Sequence, residues 1–511
     1  MATTPPSRLL TLPREIRDLV YAFYLIREGG YVYHMPQRKF TGADGRLIDL
    51  DLTLTCRQIA NELEGLPFSL NKLIFTTWCP ISYPGRKMIH HHEIVFSKYE
   101  YDQQGIFSHA APRFTKALET ITDRDHPEFA PYLKHVSNHS PFIHDETGDY
   151  FLEFPRCIPR SGEANSLLRR FVTSALRHCS LDPSFIYYVE KDLCWNPAFN
   201  MKHTDWFRAQ VDPWAIPKDD CKWVMASNDI RDQFPGSERY LGGHSERLDL
   251  TLSYRYSAAA VAIEFLGSCS SNQHRNIRHM VLDEDLVAIA HPASHAQGLI
   301  PYCQKNPKMR IERRVDMWRN LLPGGATPFQ TYAAQSYRKD ELEAKYVTNA
   351  VGDWIIEANA LSSLGMPTDV FSLVLDGGET AERTSEVFKT VHRDCAWQKA
   401  FEISVTRSHF NIPPDISRWG HRSCGYRGLP KAITDMVQGN SIVKCNFDTG
   451  GIWDEQEIEE LVQEGRNWSF RMWRYGWYTH GPRLFQPASP LPCWRQLCAE
   501  VFERSPWRPQ T

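Results

Sequence analysis

Apolar residues recur at helical spacing in several stretches of the chain. Leu12, Ile16, Leu19, Val20 and Phe23 share one face of a helix opened by Pro13, where a missing N–H does no harm. Cys56, Ile59, Ala60 and Leu63 form a second such face, and Phe114, Ala117, Leu118 and Ile121 a third. Leu168, Phe171, Val172, Ala175, Leu176 and Cys179 form a fourth, and residues 340–362 and 381–402 read as long helices. Strand signals are shorter: Leu250 to Tyr256 alternates apolar and polar positions, and Ile277–Leu282 and Val370–Leu375 are short apolar runs. Helices outweigh strands in mixed order, so the pattern predicts a helix-dominated α+β fold.

Pro- and Gly-rich punctuation falls near 141–165, 212–245 and 322–330. These are the expected internal boundaries of a large mixed domain, 81–511, behind a small N-terminal module, 1–80. At roughly 150 residues per domain, 511 residues allow two to four domains. With 42% hydrophobic residues the chain can bury a large core. A net charge of -3 gives no electrostatic drive toward nucleic acid or an anionic membrane, so neither partner is expected. No apolar run approaches the roughly 20 residues a membrane-spanning helix requires. Residues 1–20 hold no apolar signal core, and the 13 cysteines include no CxxC pair. The expectation is an intracellular, cytoplasmic or nuclear protein with reduced thiols.

The most informative residues are Leu9 to Tyr24, with Leu12-Pro13-Arg14-Glu15-Ile16-Arg17 at their centre, and Thr55-Cys56-Arg57-Gln58-Ile59 running on to Glu62. The pair LPxEIRxxxY and TCRQIxxE, followed by Asn71-Lys72-Leu73-Ile74-Phe75, resembles a set of fungal F-box-like proteins. An F-box is a small helical module that docks a Skp-type adaptor of a cullin-based ubiquitin ligase while the rest of the chain selects a protein substrate. The resemblance therefore implies partner-binding roles for Leu12, Pro13, Ile16, Leu19 and Val20. Two features depart from the family pattern. About 25 residues, Arg27 to Asp51, separate the two elements, and the tryptophan common in the second is absent. Two readings stay open: the apolar face docks an adaptor, or it packs against the chain's own larger domain and the module is only a structural part of a scaffold.

Little else points to chemistry. His90-His91-His92-Glu93 is a conspicuous cluster, but consecutive side chains diverge and chelate poorly, so partly paired or exposed histidines are expected. His291 and His295 lie four apart around Pro292, in what reads as a turn leading into a helix at 296–304 with a hydrogen-bonding role. Asp376-Gly377-Gly378 reads as a plain turn after a strand, with no phosphate-binding glycine loop upstream. Arg310, Arg313 and Arg314, mixed with Glu312 and Asp316, read as a solvated helical face. Trp195, Trp206, Trp214 and Trp223 form one tryptophan group, and Trp453, Trp468, Trp473 and Trp477 another, with Arg471, Arg474 and Arg483 beside it; both read as core or protein interface. No zinc signature and no nucleophile elbow occur. No cofactor, metal or catalytic residue is assigned. The expected function is non-catalytic protein interaction, with an enzyme of unrecognised type as the remaining alternative.

Overall fold

A computed structural model describes residues 9–110, 116–130, 133, 143–144, 150–151, 163–191, 211–217, 252–326, 340–410, 426–479, 481 and 483–504. In chain order the helices used below are α1 (Arg14–Leu25), α2 (Arg57–Leu63), α3 (Tyr83–Ala110), α4 (Asn165–Cys179), α5 (Ala258–Ser268), α6 (Ser271–Asn276), α7 (Ile300–Lys305), α8 (Ala344–Ser363), α9 (Ala381–Thr406), α10 (Glu455–Glu464) and α11 (Phe470–Thr479). The strands of the main sheet are β1 (Tyr31–His34), β2 (Lys39–Gly42), β3 (Lys72–Thr76), β4 (His279–Glu284), β5 (Arg310–Asp316), β6 (Phe371–Asp376) and β7 (Val443–Cys445). The fold is mixed α and β and helix-dominated, as the apolar periodicity predicts.

The seven strands lie in the order β2-β1-β3-β4-β5-β6-β7. Only the β1–β2 hairpin is antiparallel; every other neighbouring pair is parallel. From β1 onward the sheet grows in one direction along the sequence. Strands added in one direction by right-handed crossovers place their connecting helices on the same face. The side chains follow that rule. Phe265 of α5 packs on Tyr33 and Phe75, with ring centroids 5.3 and 5.5 Å apart. The guanidinium of Arg313 lies 4.6 Å from the ring centre of Trp354 of α8. The covered face carries Leu282, Ile311, Val315, Leu373 and Leu375, all buried, while Glu312, Arg314, Ser372 and Val374 on the opposite face are half-buried.

The sheet runs across the boundary expected at residue 80. Residues 27–51, the stretch that departs from the family pattern, form β1 and β2, and β1 pairs with β3, which in turn pairs with β4 of the larger part. A separate small core remains at the N terminus, formed by Tyr21 and Leu25 of α1 with Ile59 and Leu63 of α2. Of the expected internal boundaries, 141–165 and 212–245 fall largely outside the described residues. The third opens as a helical turn, Leu322–Ala326, with Leu322 and Pro323 buried, packed so closely on α8 that a Cβ on Gly325 would stand 2.2 Å from the Cβ of Ala350. Its described part is core rather than linker.

Other expectations are corrected. The arginine-rich segment 310–316 is strand β5, not a solvated helix, and Arg313 is 1% exposed. Leu252 to Tyr256 makes only isolated bridges, Leu252 with Glu503 and Tyr256 with Trp78, while Leu250 and Thr251 lie outside the described residues. His90, His91 and His92 are buried in α3 rather than exposed, and burial lowers the imidazole of His92 to about 4. Trp473 and Trp477 of α11 pack with Trp397 of α9 and with Ile458 and Val462 of α10 in a satellite core. Trp195, Trp206 and Trp223 lie outside the described residues, as do the side chains of Arg471 and Arg474. Among the described residues, no helix is long and apolar enough to cross a membrane.

Candidate functional site

Helix α1 turns a narrow face of mixed character inward. Its inward face carries Arg17, Tyr21 and Leu25, spaced one helical turn apart. Glu62 of α2 meets that face. Arg17 donates from Nε to Glu62 Oε2 at 2.8 Å and from Nη2 to Oε1 at 2.5 Å, and the Tyr21 hydroxyl donates to Oε2 at 2.7 Å. Gln58 adds a bond to Oε1 at 3.0 Å, and Arg17 Nη1 reaches the carbonyl of Leu12 at 2.6 Å. A carboxylate that accepts this many bonds is held in its charged form: Arg17 first, then Tyr21 and Gln58, outweigh burial and keep the Glu62 carboxyl well below its usual range. The arginine and tyrosine of the first motif element and the glutamate of the second are thus one hydrogen-bonded unit.

Ile16, Leu19, Val20 and Phe23 of α1 face out, beside the exposed Arg14, Glu15 and Asp18. Leu12, Pro13, Ile16, Leu19 and Val20, the residues assigned to partner binding, are all exposed. Leu19 is 65% exposed, and Phe23, one turn further along the same face, is 93% exposed. Ile26 continues the stripe beyond the helix. Leu47, Leu50 and Leu54 are also exposed, in the segment that the Tyr24–Asp49 hydrogen bond fastens to α1. The sequence pattern shows the apolar face of α1, and the family resemblance singles out only its first part; Phe23, Ile26 and the three leucines extend it. Large apolar patches left on a surface mark interaction sites more often than scattered single residues do.

A second ionisable cluster among the described residues lies around the loop that leaves β4. Glu284 and Arg313 pair at 2.6 Å in the core; Glu284 also accepts from the N–H groups of Ala258 and Ala259 at the start of α5, and Arg313 donates to the carbonyls of Pro292 and Ala293. Both ring nitrogens of His295 are engaged. Nε2 lies 2.7 Å from the carbonyl of Ala290, an acceptor, so Nε2 carries the proton and Nδ1 accepts from the Ser257 hydroxyl at 2.7 Å. Its hydrogen-bonding role agrees with the sequence expectation. His291 is half-exposed and pairs with Glu100 of α3 at 3.0 Å; Arg169 of α4 holds the other oxygen of Glu100 at 2.7 Å. Burial opposes the charge on His291, but Glu100 overrides it and raises the imidazole to about 9. Glu93 accepts from the Ala290 N–H, tying α3 to the same loop. Ala290 and His291 both have positive φ, 59° and 53°. These groups satisfy one another, and their arrangement fastens three helices to the sheet.

Asp376 makes the turn expected of it, accepting from the Gly378 N–H and the Asn446 side chain. Among the described residues no group of His, Cys, Asp and Glu is arranged to hold a metal ion. No family model, no curated protein and no solved structure matches this chain.

Proposed function

We propose that this chain is a non-catalytic interaction protein whose α1 docks a Skp-type adaptor, with the larger domain selecting a protein substrate for a cullin-type ubiquitin ligase. The observation that carries the reading is the outward apolar stripe Leu12, Ile16, Leu19, Val20 and Phe23, left uncovered along α1 while Arg17, Tyr21 and Leu25 turn inward. Burying one leucine or isoleucine at an interface is worth about 1.5–3 kcal/mol, so a few such residues make a usable anchor. The F-box-like motif pair supplies the identity of the partner. The test is co-purification with the adaptor. Wild type should retain it, and Ile16→Asp with Leu19→Asp should release it while the chain stays folded. A wild-type chain that captures no adaptor ends the docking claim.

The Arg17–Tyr21–Glu62 cluster supports the second reading, a scaffold protein in which the motif only holds two helices together. That reading gives a folded chain that binds no adaptor in either form.

A further inference from the structure

A second apolar core stands beside that of the sheet. It gathers Tyr99 and Phe107 of α3, Phe171 and Leu176 of α4, and Leu118 and Val189 of the helices Lys116–Asp125 and Pro183–Lys191. Helix α3 runs from one core to the other: its Ile89 and Phe96 belong to the sheet, its Tyr99 and Phe107 to the second. Leu167 and Val211 lie half-buried between the two. Polar contacts also cross this seam. His291 pairs with Glu100 at 3.0 Å, Glu357 of α8 accepts from the Ser166 N–H at 2.9 Å where α4 begins, and Arg427 reaches Glu163 at 3.2 Å. A partly polar seam with a core on each side permits relative motion more readily than one continuous apolar core does.

The His291 contact is made at a strained place. Ala290 and His291 hold left-handed backbone, φ 59° and 53°, which residues with a Cβ rarely adopt. Such strain persists where neighbouring contacts over-determine it. Here Glu93 and His295 hold the N–H and carbonyl of Ala290, and Glu100, itself held by Arg169 at 2.7 Å, holds the His291 ring. Glu93 lies on the part of α3 that packs on the sheet, and Glu100 on the part that enters the second core.

We propose that the helices of the second core form a lobe that opens from the sheet as one cooperative unit, and that the His291–Glu100 contact on the strained turn is the latch that sets how often it opens. Proteins open in such units while the rest of the structure stays protected. The inference is independent of adaptor docking, because no residue of α1 or α2 takes part.

Hydrogen exchange of the full chain at pH 7 tests it. His291→Asn removes the charged ring but keeps a residue that tolerates left-handed backbone. Exchange should rise by about tenfold, the loss expected for one charge-assisted contact, and should do so together over 99–110, 116–125, 165–179 and 183–191. Strands β4, β5 and β6 should keep wild-type protection. Ala290→Gly should act in the opposite direction and slow exchange in the lobe, because glycine relieves the strain of the closed turn. Wild-type protection of the lobe in His291→Asn overturns the latch, and so does faster exchange in Ala290→Gly. A rise shared equally by lobe and sheet would show a single unfolding unit and overturn the lobe.

Discussion

Two arginine–glutamate pairs hold two parts of this molecule, and they do different work. Arg313–Glu284 sits in the middle of the sheet, 1% and 0% exposed. Its remaining valences are taken by backbone carbonyls, by the first N–H groups of α5 and by the ring of Trp354. Arg17–Glu62 sits near the surface, joining two short helices, and its extra partners are the side chains of Tyr21 and Gln58. The inner pair fixes helices against strands that hydrophobic burial already surrounds. The outer pair acts with the small core of Tyr21, Leu25, Ile59 and Leu63 to set which way α1 faces: with that face turned inward, Leu19 and Phe23 point to solvent. A buried polar contact and the small core beside it therefore govern the presentation of an apolar surface.

Breaking the inner pair should have the largest effect. Arg313→Met leaves Glu284 as a buried carboxylate without its counter-charge, a change that typically costs about 3–5 kcal/mol. Thermal and denaturant unfolding should show a large loss of global stability. A variant that melts with wild type would show that the helix N-terminus alone satisfies Glu284.

Breaking the outer pair should be a local event. Glu62→Ala releases Arg17 and Tyr21, so hydrogen exchange should rise over 14–25 and 57–63 while the sheet keeps its protection. The pH dependence follows from the depressed Glu62 carboxyl. Its stabilisation is complete above the ordinary value of 4.5 and is lost as pH falls below it toward the folded value. Wild type should therefore keep α1 protected at pH 5 and lose protection only under stronger acid, whereas Glu62→Ala is unprotected at both pH 5 and pH 7. Loss of sheet protection in Glu62→Ala would mean that the N-terminal core and the sheet unfold as one unit.

The same contrast separates what the sequence makes legible from what it hides. The long helices at 344–363 and 381–406 and the strands at 279–284 and 371–376 are plain in the apolar pattern, because burial there follows local periodicity. Segment 310–316 misleads, because Arg, Glu and Asp outnumber apolar residues in it. Only the distant Glu284 makes Arg313 a core residue, and no local window contains that partner. The histidines at 90–92 mislead in the same way, since their burial depends on the neighbours of a 28-residue helix. For α1 the apolar face is legible but its direction is not. An amphipathic stripe ordinarily packs inward; here the inward face is the one that meets Glu62, 45 residues from Arg17, and packs Tyr21 and Leu25 on Ile59 and Leu63. The hairpin at 31–42 was visible only as an interruption of the motif, because its pairing partner β3 follows some 30 residues later.

The smallest effect is the most discriminating for α1. Phe23 is 93% exposed, so Phe23→Asp removes no packing within the chain. A surface substitution away from caps and buried networks changes stability by no more than about 0.5 kcal/mol. Unfolding of Phe23→Asp should therefore superimpose on wild type, while any partner that reads the stripe loses its most accessible aromatic anchor. The double outcome is what matters. Unchanged stability with lost binding places the work of Phe23 between molecules. A drop of more than about 1 kcal/mol would instead show that the stripe is covered within the chain, and the outward orientation set by Arg17 and Glu62 would fall with it.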